Sequence, residues 1–526
     1  MTTSSAADVA AASAGISYGA TIISALQRYP DREAFVLGER SVTYAEVSDQ
    51  LSRMQQVLAA FGIGHGGGVG ALAPNLPEVW IYQAASNLIG SRYTGLHPLD
   101  SVEDHVWICD DAEIEVLAVH PLFAEVGRAV LERSTSVRHL LVFGECEVGE
   151  NLYSLMADHE PRPLEPGPAT EDDVSWLQYT GGTTGRPKGV MVAGRAMVEL
   201  AKVAQTSWQL PEVPRYLVAA PITHAGVLPV FATLSRGGTV ILMQSFEPKS
   251  YVKEIERVRA NCTFGVPTMI NAILDHTTPE DGDLSSLETF IYSAAPISPT
   301  RLTQALDRFG AKLVQIYGQT ECAGVATSLH REEHDPHGRA ELLTSCGRPV
   351  LGTAIRVVDA NGADVPDGTP GELVVRSRAV MSGYWKLPEL TETTLRGGWL
   401  HTGDVVIRDT QGYLTIVDRT KDLIITGGFN VYPKEVEDAI SMHPAVAAVA
   451  VVGLPDPKWG EAVTAFVVLH DRQTVEVAEL QRIVHDAKGS HQTPKAVHFI
   501  DELPQTAVGK IDKKQLRARD MRAGQA

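Results

Sequence analysis

The chain has 526 residues, 44% of them hydrophobic and 21% charged, and carries a formal net charge of −19 at pH 7. That length exceeds what one hydrophobic core supports, so two or more globular domains are expected. The acidic balance excludes a general nucleic-acid binder and an anionic membrane surface as partners.

Met1 to Gly15 is rich in Ala and Ser, carries Asp8 and lacks a basic start. It reads as a frayed tail rather than a signal peptide, and residues 1–18 are expected to be disordered. Residues from about 20 to 170 alternate helical and strand-like runs, such as the helical Tyr44–Phe61 and the strand Gly68–Leu72. Residues 171–310 repeat the theme with strands at Val174–Tyr179, Tyr216–Ala220, Thr239–Met243 and Phe290–Ser293, and Lys312–Ile316 follows. Such alternation predicts parallel α/β sheets. After Gly347 come Ala354–Val358, Gly371–Val375, Val405–Arg408 and Tyr413–Val417, linked by Asn361-Gly362, Asp367-Gly368 and Thr410-Gln411-Gly412. These turns predict an antiparallel meander. From about Lys421 the pattern is a small α+β unit: helix 434–442, strands 446–452 and 462–469, helix 475–487 and strand 496–500. The apolar run Ala445–Leu454 is too short to span a bilayer and reads as a buried strand, so no integral membrane segment is expected. The predicted fold class is α/β, α+β overall. A large N-terminal domain (19–419) holds the parallel sheets and a β-rich subdomain (about 347–418), and a small mobile C-terminal domain covers 420–526.

Directly after the strand Val174–Tyr179 runs Thr180-Gly181-Gly182-Thr183-Thr184-Gly185-Arg186-Pro187-Lys188-Gly189. Glycines let backbone amides turn toward an anion, while hydroxyls and cations add donors and charge, which is what a polyphosphate needs. An ordinary P-loop requires Gly-x-x-x-x-Gly-Lys followed by Ser or Thr, and this segment does not supply it. Far downstream, Lys510 sits on the Gly-hinged turn Thr506-Ala507-Val508-Gly509-Lys510, a candidate second cation for the same substrate. Between them, Tyr317-Gly318-Gln319-Thr320-Glu321 places an aromatic face, a hydroxyl and a carboxylate at a strand end, where ligands collect in open α/β sheets. Trp399-Leu400-His401-Thr402-Gly403-Asp404 ends in a carboxylate suited to ribose hydroxyls. Asp418-Arg419-Thr420-Lys421-Asp422 is a dense charged joint, and Gly427-Gly428-Phe429-Asn430-Val431-Tyr432-Pro433 follows it.

In this order the segments resemble the core motifs of the adenylate-forming superfamily: acyl-CoA synthetases, peptide-synthetase adenylation domains and beetle luciferases. Fatty- and aryl-acyl-CoA ligases are the nearest match, and the resemblance spans about residues 20 to 520. It implies an AMP-forming carboxylate–CoA ligase using ATP, Mg²⁺ and CoA. Thr180, Gly181, Gly182, Thr183, Thr184, Gly185 and Lys188 then hold the β- and γ-phosphates. Thr320 contacts the α-phosphate, and Glu321 holds Mg²⁺, a hard cation that prefers oxygen. Tyr317 with Gly318 stacks on adenine opposite Ala294-Ala295-Pro296. Asp404 and Arg419 bind the ribose, and Lys510 bridges the acyl carboxylate and the nucleotide. Lys421 matches the hinge, and Gly427-Gly428 lies on the face that approaches the pantetheine tunnel after rotation. Gly181 stands where many members carry Ser; the side-chain donor is lost and the backbone cradle kept.

His224, in Pro221-Ile222-Thr223-His224-Ala225-Gly226, matches the position where acyl- and aryl-CoA ligases often carry His, and a satisfied core histidine is the alternative. No Asp occurs in Pro221–Phe231, which argues against an α-amino acid substrate. The pocket segments Thr223–Val230, Phe264–Val266, Tyr292–Pro296 and Gly324–Ala326 carry no cation, which suggests a hydrophobic acid, aromatic, alicyclic or fatty. The alternatives are an acyl-AMP ligase that serves a carrier protein and a non-catalytic nucleotide or acyl-CoA binder. Cys109, Cys146, Cys262, Cys322 and Cys346 are odd in number and lack metal spacing, as expected of reduced thiols in the cytoplasm. Cys322, beside Glu321, reads as a small buried neighbour rather than a nucleophile. Lys513 and Lys514 match no motif and read as a solvated helix face. The expected partners are small molecules, with a homodimer compatible and no nucleic acid.

Overall fold

The structure, a computed structural model, describes residues 17–180, 186–419, 422–426, 429–505 and 511–523. All of the expected tail but its last two residues lies outside these. Ser17 and Tyr18 do not belong to a tail: the Ser17 hydroxyl caps the helix Tyr18–Arg28, and Tyr18 is buried.

The strands that carry the candidate site are, in chain order, β1 (Val174–Thr180), β2 (Lys188–Ala193), β3 (Thr289–Tyr292), β4 (Leu313–Tyr317), β5 (Gly383–Tyr384), β6 (Leu400–Arg408) and β7 (Leu414–Arg419). An eight-stranded sheet runs β5, β2, β1, Arg92–Gly95, Gly68–Leu72, Ile114–Val119, His139–Val142 and Glu150–Asn151. A nine-stranded sheet runs from Arg348–Pro349 through Thr327–Leu329, β4, β3, Cys262–Gly265, Arg215–Val218, Thr239–Leu242 and Glu33–Leu37 to Arg40–Thr43. The inner strands pair in parallel and are buried along their length, as Gly68–Leu72 is at every residue. Parallel strands need both faces covered, and helices supply the cover. The helix Tyr44–Ala60 starts at a capping box in which the Thr43 hydroxyl accepts the Glu46 N–H and the Glu46 carboxylate accepts the Thr43 N–H.

Periodicity locates these strands but does not choose their partners. The sequence grouped Val174–Tyr179 with the strands up to residue 293, whereas β1 joins the first sheet, with Tyr93 opposite Trp176. Conversely, Glu33–Leu37, from the first part of the chain, pairs in parallel with Thr239–Leu242.

The third sheet is antiparallel: Ala354–Val358, Gly371–Arg376, β6 and β7. β6 starts five residues before the expected Val405, at Leu400. Gly403 at φ 70° and an irregular register between Val405 and Val406 break the alternation that would have revealed it. Asp404 therefore lies inside a strand.

The C-terminal unit wraps α1 (Pro433–Ser441) and the helix Val477–Lys488 against strands Ile424–Thr426, Phe429–Val431, Val446–Asp456, Gly460–Leu469 and Ala496–Phe499. Its apolar clusters, around Val451 and around Phe466, are separate from the main core. At the joint, the Lys434 N–H at the start of α1 donates to the Asp418 carboxylate, 3.2 Å away, which suits the positive end of a helix. Closing helix α2 (Lys513–Ala523) packs here too. Lys513 is not solvated: its ammonium lies 2.7 Å from Glu437, and Arg517 lies 2.9 Å from Asp422. Lys514 is exposed.

Burial alone would lower the Lys513 pKa, but the carboxylates of Glu437, Asp418 and Asp422 outweigh it, and the pKa is raised above 10.5. Its stabilising contribution is therefore full at neutral pH and is lost only as pH climbs through the folded-state value. Lys513→Met should weaken local stability by about 2 kcal/mol, the scale of a hydrogen bond to a charged group. Hydrogen exchange of α1 reads this; unchanged protection would return Lys513 to the surface.

Candidate active site

Most of the motifs sit where a strand begins or ends; Asp404 lies within β6. Thr180 closes β1 and Lys188 opens β2, and the two stand opposite one another in the antiparallel register. Gly181, Gly182, Thr183, Thr184 and Gly185, between them, lie outside the described residues. β3 leads into Ala294-Ala295-Pro296, with Ala294 in the left-handed region at φ 76°, a conformation uncommon for a residue with a side chain. β4 delivers Tyr317 and then Gly318. A Cβ on Gly318 would lie 2.3 Å from the Gly324 carbonyl carbon, so the return of the chain over the Tyr317-Gly318 segment admits only glycine.

Asp404 organises this end. The Tyr317 hydroxyl donates to Asp404 Oδ2 at 2.5 Å, and Gln319 Nε2 donates to the same oxygen at 2.7 Å and to the Thr402 carbonyl at 2.8 Å. Burial, then the Asp404 charge, pushes the Tyr317 phenol up, so it stays a donor. Asp404 is 3% exposed, and across the β6–β7 ladder it faces Arg419. The aromatic residue expected at adenine and the carboxylate expected at ribose are thus joined directly.

Thr320–Cys322 form one short 3₁₀ turn. The Tyr384 hydroxyl donates to Glu321 Oε1 at 2.8 Å, and the Met381 N–H donates to the Glu321 carbonyl at 2.8 Å. The Tyr384 ring also receives the Lys188 ammonium, 4.5 Å from its centroid. The expected phosphate cation and the expected metal carboxylate therefore meet on one tyrosine. Mg²⁺ is commonly held by one or two carboxylates, with substrate phosphates and water completing its shell. Glu321 is a hard oxygen donor of this kind, beside Thr320, with Oε1 held by the Tyr384 hydroxyl. Cys322 is buried, and burial pushes its thiol up to about 12, so it is no nucleophile.

His224 lies on a different wall. Its Nδ1 is 2.9 Å from the Thr223 hydroxyl, and the His97 ring meets it edge-on at 4.9 Å. Enough protein surrounds the ring that burial, then His97, lowers its pKa to about 3, and His97 is lowered by burial as well. Both are neutral imidazoles at physiological pH. Nearby, Leu228 packs within 3.2 Å of where a Gly324 Cβ would stand, so the wall is small and apolar. A surface cleft of about 630 Å³, lined by Glu256, Gly282, Arg308 and Lys312, opens at the other end of β3 and β4 and holds none of the motif residues.

Lys421, Gly427, Gly428 and Lys510 lie outside the described residues, and Arg419 is described by its backbone alone. Sequence reading missed the roles of Gln319, Tyr384 and His97. The first sits inside a quoted motif; the second follows a glycine in Gly383-Tyr384-Trp385, a weak signal by itself.

Two family matches divide the chain. The AMP-binding enzyme family matches residues 23–385, and the AMP-binding enzyme C-terminal domain matches residues 435–510. The chain belongs to this adenylate-forming family. A medium/long-chain-fatty-acid–CoA ligase of Mycobacterium tuberculosis is 42% identical over 515 residues, covering 95% of this chain and 90% of the relative. A feruloyl-CoA synthase of an Amycolatopsis species is 38% identical over 493 residues, covering 93% and 96%. The solved amide bond synthetase of Marinactinospora thermotolerans superposes with a TM-score of 0.87 at 33% identity, covering 95% of this chain and 99% of that one. The expected α/β fold, the superfamily and the class of enzyme agree with these relatives. Among the described residues, no helix is long and apolar enough to cross a membrane.

Two predictions follow from the packing. Gly318→Ala should cut pyrophosphate release by ~10² or more, the scale of an ångström misplacement in an aligned site, with circular dichroism unchanged. The second concerns His224, near 3, and His105 and His334, near 4, all lowered chiefly by burial. Their unfolded forms take protons below pH 6.5 and their folded forms do not, so stability should fall by up to about 1.4 kcal/mol per pH unit for each. Urea midpoints between pH 7 and pH 5 measure this.

Proposed function

We propose that the chain is an AMP-forming acyl-CoA ligase for a hydrophobic carboxylic acid. One observation carries the reading: Tyr317 and Glu321 from one segment, and Asp404 and Lys188 from two others, are linked through Gln319 and Tyr384 at one end of the sheets. A single nucleotide accounts for all of them, with adenine at Tyr317 and Ala294–Pro296 and ribose at Asp404 and Arg419. The phosphates lie at Thr180–Gly185 and Lys188, with Thr320 at the α-phosphate.

A carboxylate resists nucleophiles because it is anionic and its leaving group is oxide. Attack of its oxygen on the α-phosphorus of ATP expels pyrophosphate and gives an acyl-adenylate, whose AMP leaves readily. Both partners are anions, so the protein's work is alignment and charge neutralisation. Lys188 meets the triphosphate and Lys510 bridges the acyl and phosphoryl oxygens. Glu321 would hold Mg²⁺, which would offset charge on the phosphates. The small domain then turns about Lys421 and brings Gly427-Gly428 toward the acyl-adenylate, and the CoA thiolate displaces AMP. His224, neutral and held by Thr223 and His97, lines the wall on the acyl side.

The acid is hydrophobic in this reading because the pocket segments present no charge partner. The enzyme works on small molecules in the cytoplasm, and a homodimer is compatible with it. The test is AMP formation from ATP across a panel of acids, with and without CoA. Aryl or fatty acids should give the highest kcat/KM and acyl-CoA as product. A preference for acetate or an amino acid would overturn the substrate class; acyl-adenylate without thioester would favour a carrier-protein acceptor.

Lys421→Pro tests the hinge. Proline fixes φ near −65° and removes a donor, so adenylation should persist while thioester formation slows. Assays of each half-reaction read the difference, and equal losses count against a hinge at Lys421.

A further inference from the structure

Tyr384 is 5% exposed and stands on β5, a two-residue strand added to the edge of the first sheet. Its place there is closely determined. Tyr384 pairs with Val190 and Gly383 with Met191, and the flanking Ser382 and Trp385 N–H groups donate to the Met191 and Gly189 carbonyls at 2.9 and 2.8 Å. Gly383 sits at φ 148°, and a Cβ there would lie 2.7 Å from Thr391. β5 is thereby fastened to the strand that opens with Lys188. The same segment grips the Glu321 turn at two points, through the Met381 N–H on its carbonyl and the Tyr384 hydroxyl on Oε1.

We infer that Tyr384 is a positioning residue for the metal: its hydroxyl fixes the Glu321 carboxylate while its ring seats the Lys188 ammonium, so that cation and carboxylate meet one triphosphate in a set geometry. The inference rests on Glu321 being the Mg²⁺ ligand. A carboxylate on a single short turn is free to rotate about its side-chain torsions. A hydrogen bond from a rigid phenol to one oxygen restricts that rotation and leaves the other oxygen for the ion. Groups that orient a metal ligand in this way commonly change metal affinity by ~10- to 100-fold when removed.

Tyr384→Phe separates the two halves of the role, because the ring over Lys188 stays and only the hydroxyl goes. The probe is α,β-methylene-ATP, whose binding is measured by calorimetry with and without Mg²⁺. Y384F should bind the metal-free analogue as the parent does, and the Mg²⁺ concentration needed to tighten binding should rise ~10-fold. Glu321→Gln should remove the Mg²⁺ effect, and Y384F added to it should change nothing more. A packing defect would instead cost the same in both backgrounds. If Glu321→Gln leaves the Mg²⁺ effect intact, the metal assignment itself fails. If Glu321→Gln removes it and Y384F does not shift it, only the role given to Tyr384 is overturned.

Discussion

Joining a carboxylate to the α-phosphate of ATP requires two anions to approach within bonding distance, and a chain of formal charge −19 repels both. Such a protein cannot rely on a broad basic surface. It must aim individual cations and dipoles at the reacting centre and keep its own carboxylates occupied. The observed hydrogen bonds do this. Asp404 accepts from Tyr317 and Gln319, Glu321 accepts from Tyr384, and Lys188 rests on an aromatic face rather than on an acid. A cation over a ring keeps its charge available to a phosphate, whereas a salt bridge would partly neutralise it.

The architecture follows from that need. The parallel sheets bring several loops to one end of their strands, and the antiparallel β-rich sheet supplies Asp404 from the side. The C-terminal unit has its own core, as the proposed rotation requires. In the described arrangement Asp418 reaches across the joint to the N-terminus of α1, while Lys513 with Glu437 and Arg517 with Asp422 pair within the C-terminal unit beside it. Polar contacts of this kind exchange with water more cheaply than a buried apolar interface, which suits the proposed rotation.

Much of this was legible in the sequence. Near-continuous apolar runs placed the buried strands around residues 68–72 and 446–452, and turn residues placed the half-buried strand at 354–358. The motifs were legible as segments, and the structure brings Tyr317, Gln319 and Asp404 together at one end of the sheets. What stayed hidden was nonlocal. β1 belongs to the first sheet, where Trp176 pairs in register with Tyr93, and no local pattern records that. Asp404 fell just outside the expected strand because Gly403 and a register irregularity interrupt β6. Tyr384 acts on a glutamate far away in sequence, and Lys513 pairs across two helices. Spacing carries no trace of either.

In the proposed reaction, adenylation and thioester formation use different arrangements of one mobile domain, with Lys510 present in the first and withdrawn in the second. Pre-steady-state assays of Lys510→Ala test it most directly. Formation of the acyl-adenylate should drop by roughly 10²–10³, the scale of one transition-state donor between two anions. Conversion of supplied acyl-adenylate and CoA to thioester should proceed at a near-normal rate. An unimpaired adenylation step, or equal losses in both steps, would contradict the account.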